Sequence, residues 1–404
     1  MKHNNINRRE FIAGTAALLL QTCGHLGQRR EQAENNMEMG DIPTVELHRH
    51  FEAGMSPETI SVLAQRNDVT HVLTRNSKEP IVGVDLQDPD SIRAYYHGIS
   101  SGFKDPDGFS KFLDSLGLPV GVMRSLEDLQ FAARQQILDQ ARQGSLHTEL
   151  RGSPYTYQEN LKESATLEEV IAAIRSGIRQ AYGECGASGA YIACVSRNKV
   201  DKYGSAVVNA VLATYTDSDR MGFDIAGGQE GKFPPAMFEE LVRPLREAKI
   251  PIVVHAGEQS KTPKFIETPP SFIKEAIDKL GAERIGHGSS LIADPSLWPY
   301  VRDRGVCIET CPPSNDKMGY VPLAEAPLKD FLDVRLSATL NTDNPLMFGV
   351  SSVRDIAVNQ GKILRLTPND LIQITRNGIA AAFVTPERRA ELERKFDSFM
   401  RRVG

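Results

Sequence analysis

Two histidines, His48 and His50, stand two residues apart in the run VELHRHFEAG. On a strand that spacing turns both imidazoles to the same side. Two imidazoles on one face suit a borderline-soft metal ion such as zinc, although an H-x-H pair alone is more often a pair of surface or core histidines. Further on, PIVVHAGE ends an apolar run in His255 and places Glu258 three residues later. An acid beside a metal-ligating histidine can move a proton between water and substrate. The alternative role for Glu258 is a helix-start carboxylate favoured by the dipole. RIGHG sets His287 between two glycines, which permit close approach of backbone and ligand. SATLNTDNP carries Asp343 and Asn344 just ahead of Pro345, where Asp343 is either an anionic metal ligand or a turn cap.

These residues can meet only if the elements that carry them converge. From Asp41 onward, short β-branched and apolar runs alternate with longer stretches of helical period. Strands are expected at residues 44–50, 147–151, 190–195, 222–226, 251–255, 284–287, 306–310 and 337–342. Helices are expected at 167–183, 233–248, 270–280 and 322–334. Eight strands alternating with helices indicate an α/β fold, a (β/α)8 TIM barrel. An open doubly wound sheet is the alternative, weakened because no Gly-rich phosphate turn follows the first strand. Residues 51–146 form a long, partly helical insertion after strand one, expected to act as a lid or pocket wall. Residues 351–404 read as mostly helical and are expected to cover the barrel's outside. In a barrel, His48, His50, His255, Glu258, His287 and Asp343 all fall at strand C-termini, where such folds keep their active sites.

Composition narrows the function. The chain has 404 residues, with 47 Lys+Arg against 52 Asp+Glu and a net charge of −5, which argues against a nucleic-acid binder with a basic surface. Hydrophobic residues at 40% and charged residues at 25% give an ordinary globular balance. Five cysteines are too few for a disulfide scaffold. Cys307 and Cys311, four apart on one strand, would lie about 13 Å apart, beyond disulfide reach of about 7 Å. A Cys185–Cys194 pair stays open. No apolar run reaches the ~20 residues that span a bilayer, so no stable membrane span is expected in the mature protein. At the N-terminus, Arg8 and Arg9 precede the apolar stretch from Phe11 to Leu20. This arrangement resembles a twin-arginine export signal. Residues 1–40 are therefore expected to be an export signal and linker, with 41–404 as the catalytic domain. The protein is expected to use the twin-arginine machinery and to be periplasmic. Anchoring through a lipid on Cys23, in LQTC, is a weaker alternative.

The segments VELHRHFEAGMSPETI, HTELRGSP, GFDIAGGQE, VVHAGE, RIGHGSSL, ETCPPSN and LNTDNPLMF resemble, in order, the motifs of the adenosine deaminase family. That resemblance implies a zinc-dependent (β/α)8 barrel that hydrolytically removes the 6-amino group of a purine. It implies one zinc per chain on His48, His50, His255 and Asp343. It makes Glu258 the group that protonates purine N1, and His287 the group that orients the attacking water and helps deprotonate it. Gly227 matches the glycine whose amide meets N3. Two positions depart from the commonest pattern. Asn344 stands where an aspartate usually meets N7, and its amide can still donate to an unprotonated N7. Glu52 stands where an aspartate usually binds the ribose 5′-hydroxyl. The implied substrate is adenosine or deoxyadenosine, giving inosine or deoxyinosine and ammonia. A different 6-aminopurine such as adenine is the alternative. A binuclear amidohydrolase would need a lysine or glutamate on strand four, and GFDIAGG has no lysine. An exported, non-catalytic purine- or receptor-binding relative is opposed by the complete set of ligands and acid–base groups.

Overall fold

The computed structural model describes residues 37–258 and 268–403, so the expected export signal falls almost wholly outside the described residues. Eight strands are present: β1 (Thr44–His50), β2 (Ser145–Gly152), β3 (Ser188–Ser196), β4 (Gly222–Ala226), β5 (Ile252–Ala256), β6 (Arg284–His287), β7 (Cys307–Thr310) and β8 (Ala338–Leu340). They hydrogen-bond in sequence order and pair in parallel. Parallel neighbours need crossovers, and helices supply them. The ring closes where β8 runs out against β1. Asp343 N donates to His48 O and His50 N donates to Asp343 O, both at 2.8 Å. The buried Glu46 carboxylate accepts from Thr342 N at 3.3 and 3.2 Å, and Asn341 Oδ1 accepts from Leu47 N at 3.0 Å. The expected TIM barrel is therefore the fold.

The expected strands are all found, β1, β4 and β6 with the expected bounds and the other five with shifted ends. β8 is shorter than residues 337–342 because the backbone turns left-handed at Asp343, with φ 60°. Two expected helices are broken. Residues 233–248 become a 3-10 turn, Pro235–Phe238, followed by helix Glu239–Glu247. Residues 322–334 split into Leu323–Glu325 and Leu328–Asp333, because Pro327 forces Ala326 into extended backbone at ψ 131°. The 167–183 helix runs Leu167–Cys185. It starts at a capping box of Thr166 and Glu169 and stops at Gly186 in the left-handed region.

The insertion contributes helices Pro57–Arg66, Pro89–Ser100 and Gly108–Ser115. Its last helix, Leu126–Arg142, lies beside β2 and packs along Leu167–Cys185. In the tail, helix Pro368–Ala381 packs across β8 and β1 as the barrel's own last helix, and Pro386–Val403 lies outside it. Met37 is buried and Met39–Asp41 forms a short 3-10 helix against Val353–Gln360, so packing reaches into the stretch read as linker. No helix among the described residues is long and apolar enough to cross a membrane. The four described cysteines are free, with Cys185 exposed and Cys194, Cys307 and Cys311 buried.

One close approach sets the helix layer next to β2 and β3. A Cβ at Gly177 would lie 2.1 Å from the backbone oxygen of Gln130 on the neighbouring helix. Gly177→Ala is expected to force the two helices apart and cost about 1–3 kcal/mol of stability. Urea unfolding of wild type and variant would measure it, and an unchanged midpoint would contradict the packing described.

Candidate metal and acid–base site

β1 delivers His48 and His50 to the C-terminal mouth, and β5 delivers His255. Each offers a ring nitrogen within 4.8 Å of the other two. Asp343 Oδ1 lies 3.3 Å from His50 Nε2 and 3.5 Å from His48 Nε2. His48 Nε2 is fully buried with no hydrogen-bond partner. An orphaned buried nitrogen costs free energy unless something accepts its lone pair. A cation held by three imidazoles and one carboxylate removes that cost, so the donor set fits a borderline-soft divalent ion. His48 also comes within the same reach of His287 and Cys311. Cys311, however, donates its thiol to Glu309 O at 3.5 Å, and burial pushes its pKa well up, which disfavours the thiolate a metal needs.

Behind the imidazoles stands a layer that sequence reasoning did not pick out. His48 Nδ1 bonds Glu309 Oε2 at 2.9 Å, and His255 Nδ1 lies 2.9 Å from Asp224 Oδ2. With the Nδ1–H donating in each ring, Nε2 is left as the lone-pair nitrogen. Arg151 then joins the two acceptors. Its Nη1 donates to Asp224 Oδ2 at 3.0 Å and its Nη2 to Glu309 Oε2 at 2.7 Å. Burial favours a protonated Asp224, but the His255 imidazole and the Arg151 guanidinium outweigh it and hold the carboxyl well below the usual carboxylate range. Burial lowers the pKa of His48, as does Arg151, which keeps its ring neutral as a ligand must be. The signal in the sequence was period-two polarity: Glu149 and Arg151 of HTELRG sit on one strand face, as strand geometry requires.

His287 and Glu258 face each other across the cavity, with His287 Nε2 3.8 Å from Glu258 Oε1. Asn315 donates its amide to Ser289 Oγ at 2.5 Å, which turns its Oδ1 toward His287 Nδ1 at 3.0 Å. His287 thus donates from Nδ1 and presents Nε2 as a base. Burial pulls its pKa down to about 4 against the pull of Asp343, so the ring is neutral near pH 7. Burial pushes the Glu258 carboxyl up, against His255 and Arg197. The turn carrying Glu258 is fixed from beneath. Glu230, not singled out in GGQE, accepts from Gly257 N at 3.0 and 3.1 Å, and Arg197 donates to His255 O at 2.5 Å.

His50, Glu52, Gly227, His255, Glu258, His287, Asp343 and Asn344 line one cavity, and His48 sits buried behind it. Gly227 has φ 88°, a backbone shape that admits glycine and few other residues. Asn344 donates its amide to Asp343 Oδ1 at 2.7 Å, so one of its N–H groups steadies the carboxylate. Glu52 Oε2 accepts the Tyr157 hydroxyl at 2.5 Å. Phe109, Phe112 and Leu113 of Gly108–Ser115 line the cavity too, so the insertion supplies a wall as expected. A larger groove of about 820 Å³, reached by Met55, Tyr96, Phe131 and Met347, contains none of the metal-site or acid–base residues.

Residues 43–399 match the family model described as Adenosine deaminase. The chain is 30% identical over 352 residues to an adenine deaminase from Rhodospirillum rubrum, covering 87% of this chain and 95% of that one. It is 32% identical over 360 residues to an adenosine deaminase from Klebsiella pneumoniae, covering 87% and 96%. The crystal structure of an adenine deaminase from Arthrobacter aurescens superposes with a TM-score of 0.73 at 26% identity, covering 89% of this chain and 99% of that one.

The carboxylates behind the imidazoles generate a test. Asp224→Asn is expected to weaken metal binding about 10–100-fold by loosening the His255 ring. Competition with a chromophoric chelator would measure it, and unchanged affinity in a folded variant would remove Asp224 from this role.

Proposed function

The chain belongs to the adenosine deaminase family, and from that premise we propose that it hydrolytically deaminates a 6-aminopurine nucleoside, adenosine or deoxyadenosine, with release of ammonia. The observation that carries the reading is the meeting of Glu258 and His287 beside the His48–His50–His255–Asp343 cluster in one cavity. Free adenine is the second reading, favoured by the resemblance to the Rhodospirillum rubrum adenine deaminase.

His48, His50, His255 and Asp343 would hold one zinc ion, whose Lewis acidity brings the pKa of water down to about 7. The protein's own groups supply the rest. His287 Nε2 orients the attacking water and accepts its proton. Glu258 gives a proton to N1 as C6 is attacked, which weakens the ring's C6–N1 double bond. The Gly227 backbone amide would meet N3, and the Asn344 N–H that is not given to Asp343 would meet N7. The exocyclic amine then takes the proton held on His287 and leaves as ammonia, and the C6 hydroxyl returns a proton to the Glu258 carboxylate. We further propose export by the twin-arginine route, supported by Arg8 and Arg9 ahead of the apolar stretch from Phe11 to Leu20. A metal site assembled from β1, β5 and β8 exists only once the chain is folded, so loading before export would control which metal enters.

Metal analysis of purified protein is expected to return one zinc per chain. Glu258→Gln is expected to keep that zinc while turnover of adenosine falls about 10²–10⁴-fold, since the amide delivers no proton. Two metals per chain, or near-normal turnover in the zinc-loaded variant, would refute the assignment. Replacing Arg8 and Arg9 together by lysine is expected to leave the protein in the cytoplasmic fraction. Unchanged export of that variant, or a cytoplasmic wild type, would refute the route without touching the chemistry.

A further inference from the structure

Two relatives of similar identity differ in whether the purine they are named for carries a sugar. The N9 side of the cavity therefore holds the open question. The order of strand ends around the barrel addresses it. Glu258 follows β5, Gly227 follows β4, Ser196 ends β3, Ser153 follows β2 and Glu52 follows β1, and all five line the cavity. With N1 at Glu258 and N3 at Gly227, the next position along that purine edge, N9, faces the ends of β3, β2 and β1. What stands there decides what N9 can carry.

One side chain at that wall comes from the insertion. Arg75 lines the cavity and its side chain is only 14% exposed. Its Nη2 donates to Thr156 Oγ1 at 3.0 Å, and its Nη1 lies 3.5 Å from Glu52 Oε1. The other Glu52 oxygen is taken by Tyr157. At 3.5 Å the Arg75–Glu52 contact is long for a hydrogen bond, which leaves room for a third polar group to join both. The backbone beneath Arg75 is fastened to the cavity's roof. Arg75 N donates to Asp114 O at 3.1 Å, and the Asp114 carboxylate accepts from Asn76 N at 2.8 Å and Ser77 N at 3.1 Å. Asp114 lies on the helix that also supplies Phe109, Phe112 and Leu113.

Resting on the deaminase reading above, we propose that Arg75 is a specificity-determining residue: paired with Glu52, it reads a hydroxyl of the substituent on N9 and so selects a nucleoside over the free base. A hydroxyl both donates and accepts, so it satisfies a guanidinium N–H and a carboxylate oxygen together. A free base has no group to place between them. Sites built to hydrogen-bond a substrate hydroxyl reject analogues that lack it, because their own polar groups are left unpaired.

The test is steady-state kinetics of zinc-loaded wild type, Arg75→Met and Arg75→Lys on adenosine and on adenine. Wild type is expected to favour adenosine. Arg75→Met is expected to raise KM for adenosine about tenfold with a smaller effect on kcat, and to lower the adenosine-to-adenine ratio of kcat/KM by about the same factor. Arg75→Lys should restore part of the ratio. An equal loss on both substrates in Arg75→Met would mean that Arg75 merely holds the roof, and it would overturn the inference while the deaminase reading stands. A wild type that favours adenine would do the same. Turnover of neither purine would overturn the deaminase reading and this inference with it.

Discussion

Arg151 lies at the centre of the barrel, fully buried, with one carboxylate on either side of it. Through Asp224 it reaches His255 on β5, and through Glu309 it reaches His48 on β1. Its Nη2 also donates to Leu47 O at 2.6 Å, next to His48 itself. A charge taken this far from water carries a desolvation cost of several kcal/mol and is tolerated only when its partners satisfy it. The partners extend downward. Arg284 bonds Glu149 Oε2 at 2.5 Å and its Nε lies 2.8 Å from Glu309 Oε1. Phe383 then closes the floor beneath the Arg284 guanidinium, 3.6 Å from its ring centre. The interior that many barrels fill with branched aliphatic side chains is here, over these positions, a lattice of fixed charge. Its value is geometric. It keeps the His48 and His255 rings in one tautomer and one orientation.

Backbone strain gathers at the same end of the molecule. His287 and Asp343 both sit in the left-handed region, at φ 62° and 60°. Such residues cost on the order of 1–3 kcal/mol each and persist where the surroundings over-determine them. At Asp343 the constraint is the seam: its N and O are both bonded to β1, so the carboxylate cannot relax away from the histidines. At His287 the Asn315 bond fixes the ring, and Gly286 lets β6 come close. A Cβ at Gly286 would meet His48 Cε1 at 3.0 Å.

The barrel and the histidine cluster at its mouth were legible in the sequence because both are written in local patterns. Short apolar runs between turns marked the strands, and His48, His50, His255, His287 and Asp343 lay at their ends. The charged interior was not legible in the same way. Glu149 and Arg151 share β2, while Asp224, Arg284 and Glu309 come from three other strands, and each alone reads as an ordinary polar residue. Only the closed ring shows that they face one another. Arg75 was harder still. It lies in the insertion, where no period sets its direction, and its placement depends on hydrogen bonds to Asp114, 39 residues further along the chain. The helix expected at 322–334 was misjudged because the backbone leaves the helical region at Ala326, ahead of Pro327.

These two kinds of residue divide the labour of the site. His48, His50, His255, Asp224, Glu309 and Arg151 are carried on strands of the ring, Asp343 is tied to β1 just past the end of β8, and none of them can shift without disturbing the lattice. Arg75 and the aromatic roof are carried on the insertion and touch the strands mainly through side chains. A change in the insertion can therefore alter the Arg75 side of the cavity and leave the histidine geometry where it was. The reverse does not hold, since moving Glu52 would also move His50, two residues before it on the exit from β1. Glu52 is thus the point where the two parts meet. Its place is set by the strand that delivers the metal ligands, while its hydrogen-bonding partners are set by the insertion and by Tyr157. A protein built this way can vary the roof of its cavity through the loops while the barrel keeps the histidines, Asp343 and Glu258 in place.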